Sequence, residues 1–320
     1  MDLSIQELAR RYRAFAAREA RGVSPSYERH ALSAAASDDL LSRLLGLPDG
    51  KQQPNILLAA TRHSIGLPLG GADFARHVLD AWNAVEPVIL ARSTQTNEPG
   101  RCACLLPALA QIEGPLALIE VGASAGLCLL PDRYGYDYGR VRLDAPDPTA
   151  PVFPCEAGSG VPLPAAYPEV VWRAGLDLNP LDVRDANDMD WLRTLVWPEQ
   201  TARRARLDAA IETARRDPPH VVAGDLLERT QALACEAPTG ARLVIFHTAV
   251  LSYVAPEVRA AFADLVRDLD ADWLANEGAG ILPRVAREDV LANRPGAFVL
   301  SRNGRAIART GPHGQFVDWL

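Results

Sequence analysis

The stretch Leu116-Ala117-Leu118-Ile119-Glu120-Val121-Gly122-Ala123-Ser124-Ala125-Gly126-Leu127 decides the fold. Its first six residues form a short, nearly continuous apolar run behind Gly114-Pro115, the pattern of a strand buried on both faces. Glycines then let the chain leave the strand sharply, and an apolar segment follows from Leu127, so the order predicts strand, tight turn and helix. At such a turn the backbone approaches a ligand and the helix N-terminus offers unpaired N–H groups, where nucleotides commonly bind. The same turn is also a common plain connection, and the flanking sequence has to decide between the two.

Downstream, strand and helix patterns alternate. Val170 to Leu176 reads as a strand, followed by helices to Arg216, a strand at His220 to Ala223, a helix from Leu226 and a strand at Leu243 to Phe246. Pro256 opens a helix whose Val258, Phe262, Leu265, Val266 and Leu269 share one face, and a strand follows near Trp273. Such alternation specifies a mainly parallel sheet covered on both faces. Ala297 to Ser301 and Arg305 to Arg309 then read as a hairpin around Asn303-Gly304, adding antiparallel structure at the end. Seven prolines between Ala145 and Pro168 exclude a core helix there and mark an irregular or hairpin insertion at about 135–169.

Three side chains follow apolar strands at their carboxyl ends, the edge of an open α/β sheet where ligands bind. Asp177 is placed to accept hydrogen bonds from ribose hydroxyls, or else caps a turn before Pro180. Asp225 is placed to meet an adenine amino group, or else caps the next helix. His247 stands at the same edge, as an acid, base or hydrogen-bond partner or as a structural histidine.

Upstream, residues 1 to about 112 read as helices joined by short loops, an all-helical N-terminal cap preceding a sheet domain at 113–320. Ser4 and Glu7 fit a capping box, and Ser24-Pro25 a cap with proline at the first helical position. From Asp73, Phe74, Val78, Ala81, Trp82 and Val85 give one buried helical face until Pro87, which is expected to kink or end the helix. The polar run Arg92 to Arg101 offers Arg92, Gln95, Asn97 and Arg101 as a pocket wall that orients a polar substrate, or as a solvated loop with capping residues.

Composition narrows the classes. The chain has 320 residues, 48% hydrophobic and 23% charged, enough to bury a large core without a disulfide or metal staple. Its formal charge of −7, with the two signs mixed, leaves no basic stripe for nucleic acid. Lys51 is the only lysine, so single arginines carry little weight. The five cysteines, Cys102, Cys104, Cys128, Cys155 and Cys235, show no paired C-x-x-C spacing; no metal is expected and a reducing cytoplasm is the simplest location. Neither a signal segment nor a membrane span is read from the chain.

At these segments the sequence resembles a bacterial family, domain of unknown function 2332, over nearly its whole length. The resemblance is carried by Thr94-Gln95-Thr96-Asn97-Glu98, Ile119 to Leu130 with Asp132-Arg133-Tyr134, Gly175 to Asp182, Trp191-Leu192, Val196-Trp197-Pro198, Val221 to Asp225 and Gly311-Pro312-His313-Gly314. It implies a sheet domain similar to Rossmann-like S-adenosylmethionine-dependent methyltransferases, in which Glu120, Gly122, Ser124, Gly126, Asp177 and Asp225 would hold the cofactor. Ser124 departs from that pattern by replacing a middle glycine, and Phe246-His247-Thr248-Ala249 stands where amino methyltransferases carry Asn/Asp-Pro-Pro-aromatic.

The resulting expectation is an S-adenosylmethionine-dependent methyltransferase acting on a small molecule, with His247 and Glu98 as candidate bases. Two alternatives stay open. Gly122-Ala123-Ser124-Ala125-Gly126 also satisfies the nucleophile elbow of an α/β-hydrolase, with Ser124 as nucleophile completed by Glu277 and His313. The fold could also serve as a nucleotide-binding module without turnover. Oligomeric state is not readable.

Overall fold

The computed structural model of the protein describes residues 4–68, 73–278, 280–282, 285, 294 and 296–320. The chain divides into two compact units: a helical one, Met1–Thr96 with Ala186–Ala205, and a sheet-bearing one, Asn97–Asp185 with Arg206–Leu320. By this division the break falls at residue 96, and Ala186–Ala205 groups with the helices.

In the helical unit, Ser4 and Glu7 close the capping box and Ser24 caps the helix opened by Pro25. Pro87 lies inside the helix Trp82–Ala91 and does not end it. The break comes earlier, at Ala81, whose φ of −119° and ψ of 22° separate it from the helix Phe74–Asp80. The inserted segment supplies anchors: Trp191 is fully buried and donates its indole N–H to the Ser93 carbonyl, and Trp197 packs against Phe15 and Tyr27.

The sheet-bearing unit contains strands β1 (Leu116–Val121), β2 (Gly135–Asp137), β3 (Arg142–Leu143), β4 (Val152–Pro154), β5 (Glu156–Ala157), β6 (Val170–Asp177), β7 (Val221–Ala223), β8 (Arg242–Thr248), β9 (Asp272–Gly278), β10 (Phe298–Arg302), β11 (Arg305–Thr310) and β12 (Phe316–Trp319). Nine of them form one sheet in the order β5-β12-β11-β10-β9-β8-β1-β6-β7. The neighbours from β7 to β9 are parallel, and β9, β10, β11 and β12 are antiparallel in turn. Taken in sequence order, the five parallel strands run third, second, first, fourth, fifth. That order reverses between β1 and β8, which makes the carboxyl ends of these two strands the topological switch point.

The C-terminal hairpin turns at Asn303-Gly304, both with positive φ (51° and 77°), as a two-residue turn matching strand twist requires. The proline-rich insertion makes a small sheet, β3-β2-β4, and sends β5 to the far edge of the large one.

One expectation at the deciding stretch needs correction. No α-helix follows the glycine turn: Gly126 takes φ 71° and leads into a single 3₁₀ turn, Leu127–Leu129. Pro131 accounts for this, because it has no N–H to donate and disfavours helical geometry at Leu130.

Side chains alternate across the sheet. Ile119, Val121, Ile245, Trp273 and Ala275 join one core with Phe262 and Val266 of the helix Pro256–Asp268 and Leu226 and Leu233 of the helix Leu226–Ala234. Glu120, Phe246, Thr248, Leu274 and Asn276 alternate with these positions and lie on the opposite face.

Candidate functional site

The turn after β1 is held by its neighbours. Asp177, at the end of β6, accepts the Ser124 N–H at 2.8 Å through one carboxylate oxygen and the Asn179 N–H at 2.8 Å through the other. Asn97 accepts the Leu127 N–H at 2.8 Å, and the Cys128 thiol points to the Glu98 carbonyl at 3.3 Å. The turn's two glycines meet protein atoms: a Cβ on Gly122 would overlap the Val250 side chain, and one on Gly126 would lie 2.7 Å from Pro219. Both have positive φ, so glycine is demanded here by backbone and packing together. Ser124 carries φ 52° between them and Ala249 φ 56° beyond β8, two non-glycine residues in the left-handed region on either side of the switch point.

Glu120 is buried among these groups, and one of its carboxylate oxygens has no hydrogen-bond partner. Burial, then the nearby Cys128 and Asp177, push its carboxyl well above the ordinary value, against the opposing pull of Arg101. Arg101, also buried, binds the carbonyl and hydroxyl of Thr248 (3.1 and 3.3 Å) and the Pro312 carbonyl (2.8 Å). It thereby ties the loop before the helix Cys102–Leu109 to the end of β8 and to the β11–β12 loop. Thr310 donates to Asn276 beside them at 2.6 Å. The buried thiols of Cys128 and Cys104 are raised, each first through a neighbouring thiol, Cys102 and Cys155 respectively, and then by burial. Such thiols stay protonated and poorly nucleophilic.

His247 lies on the other face. Its Nδ1 is 2.7 Å from Glu277 Oε1, and its Nε2 accepts the Trp273 indole N–H at 3.1 Å. That acceptor role fixes the neutral tautomer with the proton on Nδ1. The ring has no exposed surface, so both nitrogens are spent within the core. Glu277 Oε1 also accepts the backbone N–H groups of Val250 and Leu251, which commits it to shaping the loop after β8.

The sequence-derived candidates therefore separate. Glu98, Asn97, Arg101, Glu120, Gly122, Ser124, Gly126 and Asp177 gather around the switch point on the Glu120 side of the sheet. Asp225 caps the helix Leu226–Ala234, accepting the Leu227 N–H at 2.8 Å. Arg92 and Gln95 belong to the helical unit, where Arg92 pairs with Asp188 at 2.9 Å and lies over the Trp191 ring. Glu277 is bonded to His247, and His313 instead faces Glu98 at 3.8 Å. Thr248 and Asn276 went unnoticed in the sequence, although alternation from His247 along β8 would have put Thr248 beside Glu120.

Fold and site together define an α/β protein with a large, mostly parallel sheet, antiparallel C-terminal strands, N-terminal helices and a carboxylate-bearing switch point. More particularly, the chain belongs to a bacterial family: the family model described as "Uncharacterized protein conserved in bacteria (DUF2332)" matches residues 70–319. No curated protein and no solved structure matches the chain. Among the described residues, no helix is long and apolar enough to cross a membrane, and no group of three or more His, Cys, Asp or Glu side chains is placed to hold a metal ion.

Proposed function

We propose that this protein is an S-adenosylmethionine-dependent methyltransferase acting on a small molecule. The observation that carries the reading is the chemistry of the switch point. Glu98, Glu120 and Asp177 gather there, with Glu120 in electrostatic reach of both Asp177 and the Arg101 guanidinium, and the turn after β1 has only a three-residue 3₁₀ turn behind it. A phosphate-bearing dinucleotide relies on the N–H groups and dipole of a full helix at this point, which is missing. A nucleoside ligand with a sulfonium and an ammonium, and no phosphate, suits an acid-rich edge instead.

The residues present fit that group. The orphaned oxygen of buried Glu120 is a hydrogen-bond acceptor awaiting a donor, and Asp177 is half-buried at the end of β6, where ribose hydroxyls would lie. S-adenosylmethionine, when bound, supplies an activated methyl group. The chain's own part is to hold the turn through Asp177 and Asn97, to keep Glu120 dry, and to orient an acceptor, since positioning dominates such a displacement. His247 is set aside as base, because a proton acceptor must reach the reacting proton.

Isothermal titration with S-adenosylmethionine and S-adenosylhomocysteine tests this. Folded wild type should bind both, and Asp177→Ala should weaken both by removing the carboxylate expected at the ribose. Absence of binding to folded wild type would sink the reading.

The positive φ of Ser124 favours a second reading, because a serine nucleophile at a strained strand-end turn is the elbow of α/β-hydrolases. Fluorophosphonate labelling that disappears in Ser124→Ala would establish it.

A further inference from the structure

His313 and Glu98 make a second histidine–carboxylate pair. The loop 97–101 and the loop 311–314 interlock. Arg101 donates to the Pro312 carbonyl, a Cβ on Gly314 would overlap the Gly100 carbonyl, and a Cβ on Gly100 would sit 2.8 Å from the His313 carbonyl. Gly314 has φ 82°, so glycine is required at this contact. The backbone around the imidazole is therefore fixed from both sides.

Within this frame the Glu98 side chain is 7% exposed and the His313 side chain 37% exposed, with Nδ1 to Oε2 at 3.8 Å. The other Glu98 oxygen accepts the Gly100 N–H at 3.1 Å, which anchors the carboxylate. The pair is tied to the switch point by two short paths: Asn97 and the Glu98 carbonyl hold Leu127 and Cys128, and Arg101 binds Thr248 at the end of β8. A half-exposed imidazole backed by a buried carboxylate is the arrangement of a general base, and such distances shorten when a substrate closes the site.

We propose that His313 is the general base of the switch-point site, positioned by Glu98, and that the acceptor is a small molecule whose reacting O–H or N–H must give up its proton. This rests on the methyltransferase reading. In the balanced step, the acceptor's lone pair forms a bond to the methyl carbon and the sulfur–carbon bond breaks with its electrons going to sulfur. The acceptor's proton passes to the imidazole, and Glu98 stabilises the imidazolium. Among the described residues, Glu98 faces His313 and Arg101 lies beneath its loop, bonded to the Pro312 carbonyl.

The test is carbethoxylation of His313 by diethyl pyrocarbonate, read by peptide mass spectrometry across pH in wild type and Glu98→Gln, with and without S-adenosylhomocysteine. Removing the carboxylate should lower the midpoint pH of His313 reactivity by about one unit. Bound S-adenosylhomocysteine should slow the reaction several-fold in wild type. An unmoved midpoint in Glu98→Gln, or unchanged reactivity when titration shows the ligand bound, overturns the proposal while leaving the cofactor reading intact. If folded wild type binds no ligand, the cofactor reading falls and the acceptor assignment falls with it, whatever the midpoint does.

Discussion

Two histidine–glutamate pairs stand at the carboxyl edge of the sheet, and they differ in every physical respect that matters. His247 and Glu277 are 2.7 Å apart, with side-chain exposures of 0% and 2%, and Trp273 closes the remaining ring nitrogen. His313 and Glu98 are 3.8 Å apart, with the imidazole 37% exposed and the carboxylate buried behind it. The first pair is bonded on both ring nitrogens and shapes the loop after β8. The second has a partly exposed imidazole and joins two interlocked loops, 97–101 and 311–314. A histidine at a strand's carboxyl end is thus a poor guide to chemistry until the partners of both ring nitrogens are known.

The comparison breaks most readily through stability. Removing His247 takes from buried Glu277 its side-chain donor, leaving only the Val250 and Leu251 N–H groups, and strips the buried Trp273 indole N–H of its acceptor, which should cost about 3 kcal/mol. His313→Ala, at a half-exposed loop position, should cost within about 0.5 kcal/mol. Urea unfolding of both variants checks this, and equal losses would mean that the two pairs are of one kind.

The sequence made His247 conspicuous and this contrast invisible. A run such as Leu243 to Phe246 announces a strand, and the end of a strand announces an edge; alternation then says which face a residue takes only once its neighbours are known. The βα rhythm, the hairpin at Asn303-Gly304 and the cap at Ser4 were legible because each rests on local chemistry. The pairing of Glu98 with His313 spans more than two hundred residues and depends on two glycines meeting, Gly100 and Gly314, which no local pattern records. The expected helix after Gly126 failed for a local reason that was available: Pro131 stands too near. The segment Ala186–Ala205, read among the sheet domain's helices, joins the helical unit through long-range anchors such as Trp197.

The turn between the two pairs sharpens the comparison next. Gly122→Ala places a side chain at φ 72° against Val250 and should cost about 2 kcal/mol, part from the backbone and part from the contact. Val250→Ala in the same chain should recover the contact part only. A double-mutant cycle in unfolding free energy measures this, and full recovery would show that the left-handed backbone contributes nothing.

The smallest effect concerns the buried Glu120 and is read through pH. Burial raises the Glu120 carboxyl above its ordinary value of 4.5. A group with a raised folded-state pKa costs nothing below the unfolded value, because both states are then protonated. Its cost grows as pH rises past that value, since the unfolded chain ionises while the folded one resists. Glu120→Gln should therefore match wild type near pH 4 and gain on the order of 1 kcal/mol in relative stability between pH 5 and 8. Thermal melts of the two proteins at matched pH read the difference. A gap that stays flat across this window would mean that Glu120 is ionised in the folded protein, held by Arg101, and its orphaned oxygen would then already carry the charge that a cationic ligand meets.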